Sequence, residues 1–318
     1  MSTILVTGAA GFIGSWVCEA LLQRGNHVIG LDNFNDYYDV NLKKARAKKI
    51  EKSIQIIPCD ISDYSGLENI FKENKIDKIC HLAAQAGVRH SLNHPFIYET
   101  TNILGFLNIL ELCRHYQVKT LVYASSSSVY GGSKKIPFSV DDPVDQPISI
   151  YAATKKSNEL MAHSYHHLFG LNCTGLRYFT VYGPWGRPDM AIFSFVQSIL
   201  NNKPIEVFNF GKMKRDFTYI SDVVAGTLSA LDKSYPYEIF NLGNSHSVEL
   251  MYVIECLENQ LGKKAEKKLM PIQLGDIPES FADIKKSEKM LSFKPQVKIE
   301  EGIKKFVEWY LQYQTVAK

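Results

Sequence analysis

The 318-residue sequence has little net charge and no long apolar run. Its 36 Lys and Arg residues nearly balance 33 Asp and Glu residues, which leaves a formal net charge of +3. So small an excess argues against a general nucleic-acid or membrane-surface binder. No apolar stretch approaches the ~20 residues of a bilayer span, and the N-terminus lacks the pattern of a signal peptide. We therefore expect a cytoplasmic protein without a membrane partner.

The sequence also lacks the spacing of a metal or disulfide site. Its six cysteines include no CxxC pair and are scattered through apolar stretches, as is typical of reduced core residues. His163, His166 and His167 lie close together, but no cysteine or acidic residue matches their spacing, so we predict no metal. Two basic runs, 43–49 and 263–268, have no interleaved aromatic residues, which favours solvated helix faces over nucleic-acid binding.

Strand and helix patterns alternate along the chain. Continuous apolar runs predict buried parallel strands, and apolar residues at helical spacing predict the helices between them. This alternation predicts an α/β fold, a Rossmann-type doubly wound parallel sheet with a smaller C-terminal substrate-binding lobe. The predicted strands are 3–7, 27–31, 54–58, 77–82, 119–124 and 172–178, and the main predicted helices are 12–24, 98–116, 149–169, 191–201, 249–261 and 299–313.

A glycine-rich segment joins the first predicted strand to the first helix. Gly8, Gly11 and Gly14 stand at GxxGxxG spacing, which permits a tight turn, close approach to a pyrophosphate and close helix–strand packing. The free N–H groups of the helix N-terminus favour phosphate. Asp32 ends the second strand, where a carboxylate would bind ribose hydroxyls and repel a 2′-phosphate, which favours NAD over NADP. The alternative is a glycine turn with an unrelated surface aspartate.

The composition changes after residue 178. Residues 179–215 are rich in glycine, proline and aromatic residues, and 216–243 again have the pattern of strand, helix and strand. We predict an NAD-binding Rossmann domain over 1–178, with 216–243 returning to it. Residues 179–318 would mainly form the substrate-binding lobe, with the substrate cleft between the two parts.

A tyrosine and a lysine form a candidate catalytic pair. Tyr151 and Lys155 are four residues apart on a predicted helix, which places both side chains on one face. A neighbouring ammonium should lower the pKa of Tyr151 from ~10 towards neutral. Such a tyrosine could accept a hydroxyl proton while a hydride leaves the same carbon. The alternative is an ordinary pair on a helix surface.

A run of serines at the end of the fifth predicted strand favours catalysis. Parallel sheets usually bind ligands at the carboxyl ends of their strands, so these hydroxyl groups would meet a substrate there. Ser126, Ser127 or Ser128 could donate to the substrate oxygen that Tyr151 contacts, and their proximity leaves the choice open. The alternative is a polar loop that simply follows a strand.

Several segments together resemble the extended short-chain dehydrogenase/reductase family of nucleotide-sugar epimerases and dehydratases. They are TGAAGFIG (7–14), the strand end at Asp32, HLAAQAGVR (81–89), SSSSVYG (125–131), YAATK (151–155) and RYFTVYGP (177–184). The resemblance covers essentially the whole chain. Within the family, segments 31–46 and 181–191 are similar to the UDP-glucuronate 4-epimerases.

The resemblance implies roles for individual residues. Tyr151 would act as base and acid, Lys155 as its electrostatic partner and Ser126 as hydroxyl donor, with Ser127 and Ser128 as alternatives. Arg215 and Asp276 would hold the UDP moiety. Residues expected to bind NAD are Gly8, Gly11, Phe12, Ile13, Gly14, Asp32, Asn33, Asp60, Ile61, Leu82, Ala83, Ala84, Asn102, Tyr151, Lys155 and Tyr178.

The residues after Ser126 indicate which reaction to expect within the family. Dehydratases have an Asp-Glu pair there and decarboxylases a glutamate, whereas this chain has Ser127 and Ser128, which are not acid–base groups near neutral pH. The resemblance therefore implies reversible C4 epimerisation of UDP-glucuronate to UDP-galacturonate through a 4-keto intermediate, a step of polysaccharide biosynthesis.

The substrate's C6 group would be recognised by a cation. Arg187 is the first candidate to bind a carboxylate and Arg89 the second, and Thr180 could donate a hydrogen bond or leave room. The alternatives are a 4-epimerase of a neutral UDP-sugar, either UDP-glucose or UDP-N-acetylglucosamine, and a non-catalytic nucleotide-binding relative. The family commonly forms homodimers through a four-helix bundle, which here would use the helices near 98–116 and 149–169.

Overall fold

A computed structural model describes residues 2–51, 53–54 and 56–316 of the chain. The strands in chain order are β1 (Thr3–Thr7), β2 (His27–Asp32), β3 (Ile56–Pro58), β4 (Lys78–His81), β5 (Thr120–Ser126), β6 (Asn172–Tyr178), β7 (Thr180–Tyr182), β8 (Ile205–Val207), β9 (Lys214–Arg215), β10 (Phe217–Tyr219), β11 (Tyr237–Leu242), β12 (Val248–Glu249), β13 (Lys267–Leu269) and β14 (Glu279–Ser280). The α-helices are α1 (Phe12–Gln23), α2 (Val40–Ile50), α3 (Tyr64–Glu73), α4 (Val88–Asn93), α5 (Pro95–Tyr98), α6 (Gly105–His115), α7 (Ile150–Phe169), α8 (Ala191–Leu200), α9 (Ile220–Lys233), α10 (Leu250–Leu261), α11 (Lys285–Leu291) and α12 (Ile299–Val316).

A seven-stranded parallel sheet forms the centre of the described structure. Its strands lie in the order β3, β2, β1, β4, β5, β6 and β11. Four of the five residues of β1 are buried, as expected for a strand covered by helices on both faces. This topology confirms the predicted doubly wound α/β class. The order reverses between β1 and β4, and such a switch point opens a crevice at the carboxyl ends of the strands.

Small sheets follow β6 in the chain. Strand β7 pairs with β10, β9 lies between β12 and β14, and β8 pairs with β13. Of the predicted returning segment 216–243, β11 therefore joins the central sheet whereas β10 does not. Helix α9 connects these two strands. The predicted boundary between domains at residue 178 stays a prediction.

Three predicted elements differ from the structure. Strand β3 covers fewer residues than the predicted 54–58, of which Gln55 lies outside the described residues. Strand β5 extends beyond the predicted 124 to Ser126, so two of the serines belong to the strand. The predicted helix 98–116 instead contains a π-helical segment, Glu99–Leu104, between α5 and α6. In a π-helical segment the backbone hydrogen bonds span one residue more than in an α-helix, and one short segment of this kind does not stand out in the spacing of apolar residues.

The core confirms part of the expectation for cysteine. Cys18, Cys80, Cys113 and Cys173 are buried, and all six cysteines are free thiols. Cys59 and Cys256 are only half-buried, because Cys59 follows β3 at the cleft and Cys256 lies on the outer part of α10. Among the described residues, no cluster of histidine, cysteine or acidic side chains has metal-binding geometry. Across the same ranges, no helix is both long and apolar enough to cross a membrane.

Candidate active site

A cleft of about 970 Å³ opens at the carboxyl ends of the central strands. Most predicted site residues line this cleft, although they come from segments far apart in the chain. On the predicted cofactor side these are Gly8, Gly11, Phe12, Ile13, Gly14, Asp32, Asn33, Ile61, Leu82, Ala83, Ala84, Tyr151, Lys155 and Tyr178. On the predicted sugar side they are Arg89, Ser126, Ser127, Ser128, Thr180, Arg187, Arg215 and Asp276.

The glycine-rich loop forms a cradle that side chains would fill. Gly8 has a φ of +71°, and a Cβ there would lie 2.8 Å from the Ala83 backbone nitrogen. A Cβ at Gly14 would lie 2.0 Å from the Gly8 carbonyl oxygen, so helix α1 can pack here only with glycine. The Gly11 N–H donates to the Gly8 oxygen at 2.9 Å and closes the turn. These residues fit a dinucleotide, whose pyrophosphate would lie against the N-terminus of α1.

Asp32 is fixed at the end of β2 by the backbone around it. It is 6% exposed, and its carboxylate accepts hydrogen bonds from the Ala10 N–H at 3.1 Å and the Phe34 N–H at 2.8 Å. The carboxylate still has acceptor sites for a ribose hydroxyl, because each oxygen can accept more than one hydrogen bond. A carboxylate held in this position would repel a 2′-phosphate, which supports the predicted preference for NAD over NADP.

Asp60 and Asn102 do not line the cleft, in contrast to the other residues predicted to bind the cofactor. Asp60 accepts hydrogen bonds from Ser62 and from the Asn33 side chain, the latter at 2.7 Å. Burial alone would raise the pKa of Asp60, but these hydrogen bonds hold it below its usual value. Asp60 therefore acts on the cleft through Asn33, which does line it.

Asn102 is 2% exposed and supports the loop that follows β4. Its side-chain oxygen accepts from the Gln85 N–H at 2.8 Å, and its amide donates to the Gln85 carbonyl at 3.0 Å. The same amide reaches the Thr154 hydroxyl at 3.0 Å, on α7. Asn102 lies in the π-helical segment, and it joins the cofactor-side loop to the helix that carries Tyr151.

Helix α7 positions the candidate catalytic pair in its first two turns. The Ser149 hydroxyl caps the helix by accepting from the Ala152 N–H at 3.1 Å. Lys155 is 2% exposed, and its ammonium donates to the Ala124 carbonyl of β5 at 2.9 Å. Burial lowers the pKa of Lys155 to about 8. The ammonium is therefore still charged at neutral pH, beside the strand that leads to Ser126.

The expected lowering of the Tyr151 pKa is not seen in this structure. Burial raises the pKa of Tyr151, and hydrogen bonding with Ser126 and the positive charge of Arg187 offset part of that rise. The expectation was wrong because it left out desolvation of the phenolate. Moreover, the Lys155 ammonium bonds to a backbone carbonyl on β5. Tyr151 is thus protonated near neutral pH in the protein alone.

Ser126 has a hydrogen-bonding arrangement suited to donation. Its hydroxyl oxygen accepts from the Ser128 N–H at 3.1 Å and from the Ser128 hydroxyl at 2.9 Å. With its oxygen engaged by these two donors, Ser126 can use its proton for a third partner, which is the Tyr151 oxygen in the protein alone. This geometry favours Ser126 over Ser128 as the donor to a substrate oxygen.

A buried ion pair fixes the end of β5 against α7. Ser125 donates to the Glu159 carboxylate at 2.7 Å, and Arg177 of β6 binds the same carboxylate through Nε at 2.8 Å and Nη2 at 2.9 Å. Arg177 also donates to the Tyr130 hydroxyl at 3.0 Å. Glu159 is one turn beyond Lys155 on α7, so the network sets the position of α7 along the strand.

On the sugar side, charged residues predicted to bind substrate are paired with each other. Arg89 binds Asp276 at 3.0 Å and lies over the Phe208 ring, 4.5 Å from its centroid. Since the Arg89 side chain is 52% exposed whereas that of Arg187 is 22% exposed, Arg89 is the weaker candidate for a carboxylate ligand. Arg215 donates to the carbonyls of Lys214 and Pro278 and faces the same cleft.

Arg187 belongs to a second cluster at the cleft. Its guanidinium binds Asp189 through Nε at 3.0 Å and Nη2 at 2.5 Å, and the Tyr37 hydroxyl donates to Asp189 at 3.1 Å. All three side chains line the cleft, as does Thr180 of β7. Arg187 was predicted as a site residue from the sequence, whereas Tyr37 and Asp189 were not, although both lie in the segments that carry the resemblance. No local pattern signals a contact across 152 residues.

Two basic residues of the run 43–49 contradict the prediction of a solvated helix face. Lys43 is 6% exposed, lines the cleft and donates to the Asn35 side chain at 2.5 Å. Arg46 is fully buried and donates to the carbonyls of Ala10, Trp185 and Gly186. Both residues face inward from α2, with Tyr38 beside them, while the other lysines of the run are exposed.

Arg46 joins the two sides of the cleft. Ala10 belongs to the glycine-rich loop, whereas Trp185 and Gly186 immediately precede Arg187. Backbone carbonyls and the Tyr38 hydroxyl accept the hydrogen bonds of the Arg46 guanidinium and so solvate its buried charge. This role was not predicted, because the position of an arginine in a helical pattern does not tell whether its side chain is buried or exposed.

Comparisons with known proteins agree with this geometry. The sequence profile of the NAD dependent epimerase/dehydratase family matches residues 4–243. UDP-glucuronate 4-epimerase 4 of Arabidopsis thaliana is 49% identical over 98% of this chain and 76% of that protein. The solved structure of UDP-glucuronic acid 4-epimerase from Bacillus cereus, in complex with UDP-glucuronic acid and NAD, superposes with a TM-score of 0.90 at 37% identity, over 98% of this chain and 99% of that one.

A third relative binds two different sugars. MoeE5 has been solved with UDP-glucose and NAD, at a TM-score of 0.88 and 30% identity over 98% of this chain and 99% of that chain. It has also been solved with UDP-glucuronic acid and NAD. The extent of the profile match, together with relatives well above 30% identity along nearly the whole chain, is sufficient to assign the family. The chain therefore belongs to the NAD-dependent epimerase/dehydratase family.

Proposed function

We propose that the protein interconverts UDP-glucuronate and UDP-galacturonate by C4 epimerisation. At the coarser level, the chain is an NAD-dependent nucleotide-sugar 4-epimerase, as its family and its relatives at 37% to 49% identity indicate. The observation that carries the finer proposal is one cleft lined by Tyr151, Lys155 and Ser126 together with Arg187. This set combines a proton-transfer group with a cation suited to a uronate.

The glycine-rich loop and Asp32 would hold NAD, as their cradle and the fixed carboxylate suggest. When bound, NAD accepts a hydride from the sugar C4 and returns it to the opposite face. The protein's own part is to move the proton of the 4-hydroxyl. Tyr151 would accept that proton as its phenolate, which the positive charge of bound nicotinamide and the Lys155 ammonium would together stabilise electrostatically.

Ser126 would orient the reacting oxygen. Its hydroxyl would donate to the sugar O4, which is the atom that Tyr151 would also contact. The 4-keto sugar would then turn within the cleft before Tyr151 returns the proton. Ser127 and Ser128 line the cleft, and neither can serve as an acid or base near neutral pH. Elimination or decarboxylation of the 4-keto sugar would therefore lack the side chain that such reactions use.

Arg187 would bind the substrate's C6 carboxylate. A charge-assisted contact of this kind contributes about 1.5–3 kcal/mol, enough to discriminate a uronate from a neutral hexose by more than tenfold. Thr180 lines the same region and offers a small hydroxyl. The second candidate function is 4-epimerisation of UDP-glucose, which the pairing of Arg187 with Asp189 favours because it leaves the subsite without net charge.

The decisive experiment supplies the purified holoenzyme with UDP-glucuronate or UDP-glucose and identifies the products by NMR. We expect UDP-galacturonate from UDP-glucuronate at the higher kcat/KM. We also expect Arg187→Ala to raise KM for the uronate by at least about tenfold. Conversion of UDP-glucose alone would establish the second candidate instead. A pentose product would contradict the assignment of Ser127 and Ser128, because it would require decarboxylation.

We also propose that the protein forms a homodimer through α6 and α7. These helices contact each other, since Tyr165 donates to Glu111 and Arg114 lies over the Phe169 ring. They expose an apolar surface that water would otherwise cover. The exposed apolar residues on and beside these helices are Phe96, Ile97, Leu104, Leu107, Leu160, Leu168 and Phe169.

Sedimentation of the purified protein tests this dimer. We expect a dimer for the native chain and a monomer for Leu160→Asp, since Leu160 is 57% exposed and lies in the middle of α7. Leu274→Asp is the matched control, because Leu274 is 82% exposed but lies outside these helices. A native chain that sediments as a monomer, or a control that dissociates equally, would contradict this interface.

A further inference from the structure

Asp189 occupies one edge of the arginine that faces the sugar. Its two carboxylate oxygens bind the Nε and Nη2 groups of Arg187 in a two-point contact. A guanidinium has five N–H donors, so this contact uses two and leaves three. Arg187 can therefore accept a second anion, but that anion would lie close to the carboxylate of Asp189.

Tyr37 holds Asp189 in this position. Its hydroxyl donates to the Asp189 carboxylate at 3.1 Å, and its ring lies under Arg187, 5.9 Å from the guanidinium carbon. The ring of Tyr37 also packs edge-on against His90 at 4.8 Å, and a Cβ at Gly87 would lie 2.5 Å from the Tyr37 hydroxyl. The tyrosine is thus wedged against the loop before α4 and cannot easily withdraw.

The charges of this cluster cancel. Burial would raise the pKa of Asp189, but Arg187 and Tyr37 hold it below its usual value, so the carboxylate is ionised. Burial, with Asp189 next in importance, raises the pKa of Tyr37 to about 12, so that its hydroxyl remains a donor. Within the described structure, Arg187 and Asp189 therefore present a site with a cation but without net charge.

We propose that Asp189 determines the sugar specificity of this site by competing with the substrate's C6 carboxylate for Arg187. This inference rests on the proposed function, in which Arg187 meets C6. Asp189 keeps three donors of Arg187 available to a carboxylate or a hydroxyl while its charge opposes a second carboxylate. The enzyme therefore prefers uronates less strongly than it would with an unpaired arginine, and it can still bind neutral sugars.

The variant Asp189→Asn tests the proposal. It keeps an oxygen that can accept from Nε of Arg187 while removing the competing charge. We expect the ratio of KM for UDP-glucose to KM for UDP-glucuronate to rise by about tenfold, because the charge that opposes a second carboxylate beside Arg187 is removed. The effect should shrink at high salt, because screening weakens a partly exposed charge pair.

A double-mutant cycle separates the coupling between Arg187 and Asp189 from the individual effect of each substitution. Arg187→Ala alone leaves Asp189 unpaired and should impair UDP-glucuronate most. Arg187→Ala with Asp189→Asn should recover part of that loss for UDP-glucuronate but not for UDP-glucose. NAD content and thermal unfolding of each holoenzyme report whether the fold is kept.

The outcomes separate this inference from the proposed function. If the native enzyme epimerises UDP-glucuronate but Asp189→Asn leaves the KM ratio unchanged or lowers it, the specificity role of Asp189 is overturned and the proposed function stands. If the native enzyme does not act on UDP-glucuronate, the proposed function fails and this inference fails with it. A raised KM ratio together with recovery in the double variant supports both.

Discussion

The cofactor side and the sugar side of the cleft are built in different ways. On the cofactor side, the backbone forms most of the surface, because Gly8, Gly11 and Gly14 bring strand, turn and helix together within one short segment. On the sugar side, side chains from distant segments hold one another, as in the contacts of Arg187 and Asp189 with Tyr37. The glycines of a tightly packed backbone turn can rarely be replaced, whereas a residue of a side-chain cluster can be replaced by one of different charge without a change of fold.

The two sides nevertheless depend on each other. Arg46 donates to Ala10 in the glycine-rich loop and to Trp185 and Gly186 beside Arg187. The Glu159–Arg177 pair similarly fixes α7 against the sheet, so that Tyr151 and Lys155 stand between the two sides. The comparison therefore predicts three kinds of variant. One acts at the junction formed by Tyr151 and Lys155, one acts on a single side, and one acts on the connection that Arg46 makes between the sides.

The largest effect should come from the junction, where the Tyr151 hydroxyl would transfer the proton of the reaction. We expect Tyr151→Phe to lower kcat by about 10³-fold, because general acid–base catalysis contributes ~10²–10⁴-fold. NAD content should remain close to that of the native protein. Tyr165→Phe is the matched control on the same helix, since its hydroxyl binds Glu111 on the outer face. Equal losses in the two variants would show that α7 as a whole, rather than Tyr151, was disturbed.

A change on the cofactor side should affect the fold itself. Gly14→Ala would place a Cβ 2.0 Å from the Gly8 oxygen, so α1 must shift, and we expect a cost of about 3 kcal/mol in unfolding free energy with loss of NAD. In Gly132→Ala, the new Cβ would meet the Ile148 side chain at an ordinary 3.8 Å. Chemical denaturation compares the two variants. A Gly14→Ala protein as stable as Gly132→Ala would contradict close packing at the glycine-rich loop.

A change in the connection should affect both sides together. Arg46→Met leaves the carbonyls of Ala10, Trp185 and Gly186 without their donor, and each unpaired buried group costs about 1–3 kcal/mol. We expect NAD affinity and KM for the UDP-sugar to worsen by about tenfold each, as measured by calorimetry and steady-state kinetics. Lys44→Met, two residues earlier and exposed, is the control. A variant that changed only one of the two constants would show that the sides are independent.

The smallest effect at neutral pH is a dependence of the rate on pH at the junction, because Lys155 is still charged there. Burial lowers the pKa of Lys155 to about 8, so its ammonium is present below pH 8 and is lost as the pH rises. Since the charge favours the Tyr151 phenolate, we expect kcat/KM to fall above pH 8, by at most about tenfold per pH unit. The remaining activity of Lys155→Met should lack this alkaline decline. A native profile that stays level to pH 10 would remove the electrostatic role.

Much of the fold was predictable because its signals are local. The alternation of buried strands and amphipathic helices indicated the parallel sheet, and the sheet order places the crevice at the switch point beside β1. The π-helical segment at Glu99–Leu104 was not predictable, because one wider turn hardly changes the spacing of apolar side chains. The burial of Lys43 and Arg46 was missed for a related reason, since a helix pattern does not say which neighbours cover it.

The candidate site was predictable where a motif lies within one segment. The glycine-rich loop, the Tyr151–Lys155 pair and the serine run all line the cleft as expected. Asn102 and Asp60 lie behind it and act through Gln85 and Asn33, because their hydrogen bonds depend on how separate loops meet. The pKa of Tyr151 was predicted in the wrong direction, since the attraction of a nearby lysine can be read from spacing but the cost of burial cannot.

The sequence by itself determined the α/β class, the glycine-rich turn and the helix that carries Tyr151 and Lys155, since each follows from the steric and periodic properties of residues close together in the chain. The tertiary structure alone decided the charge balance of the sugar side. Tyr37 meets Asp189, Arg46 meets Gly186 and Arg89 meets Asp276 across more than 130 residues. Such pairings depend on which surfaces the fold brings together, and electrostatic interactions act through distance in space rather than position in the sequence.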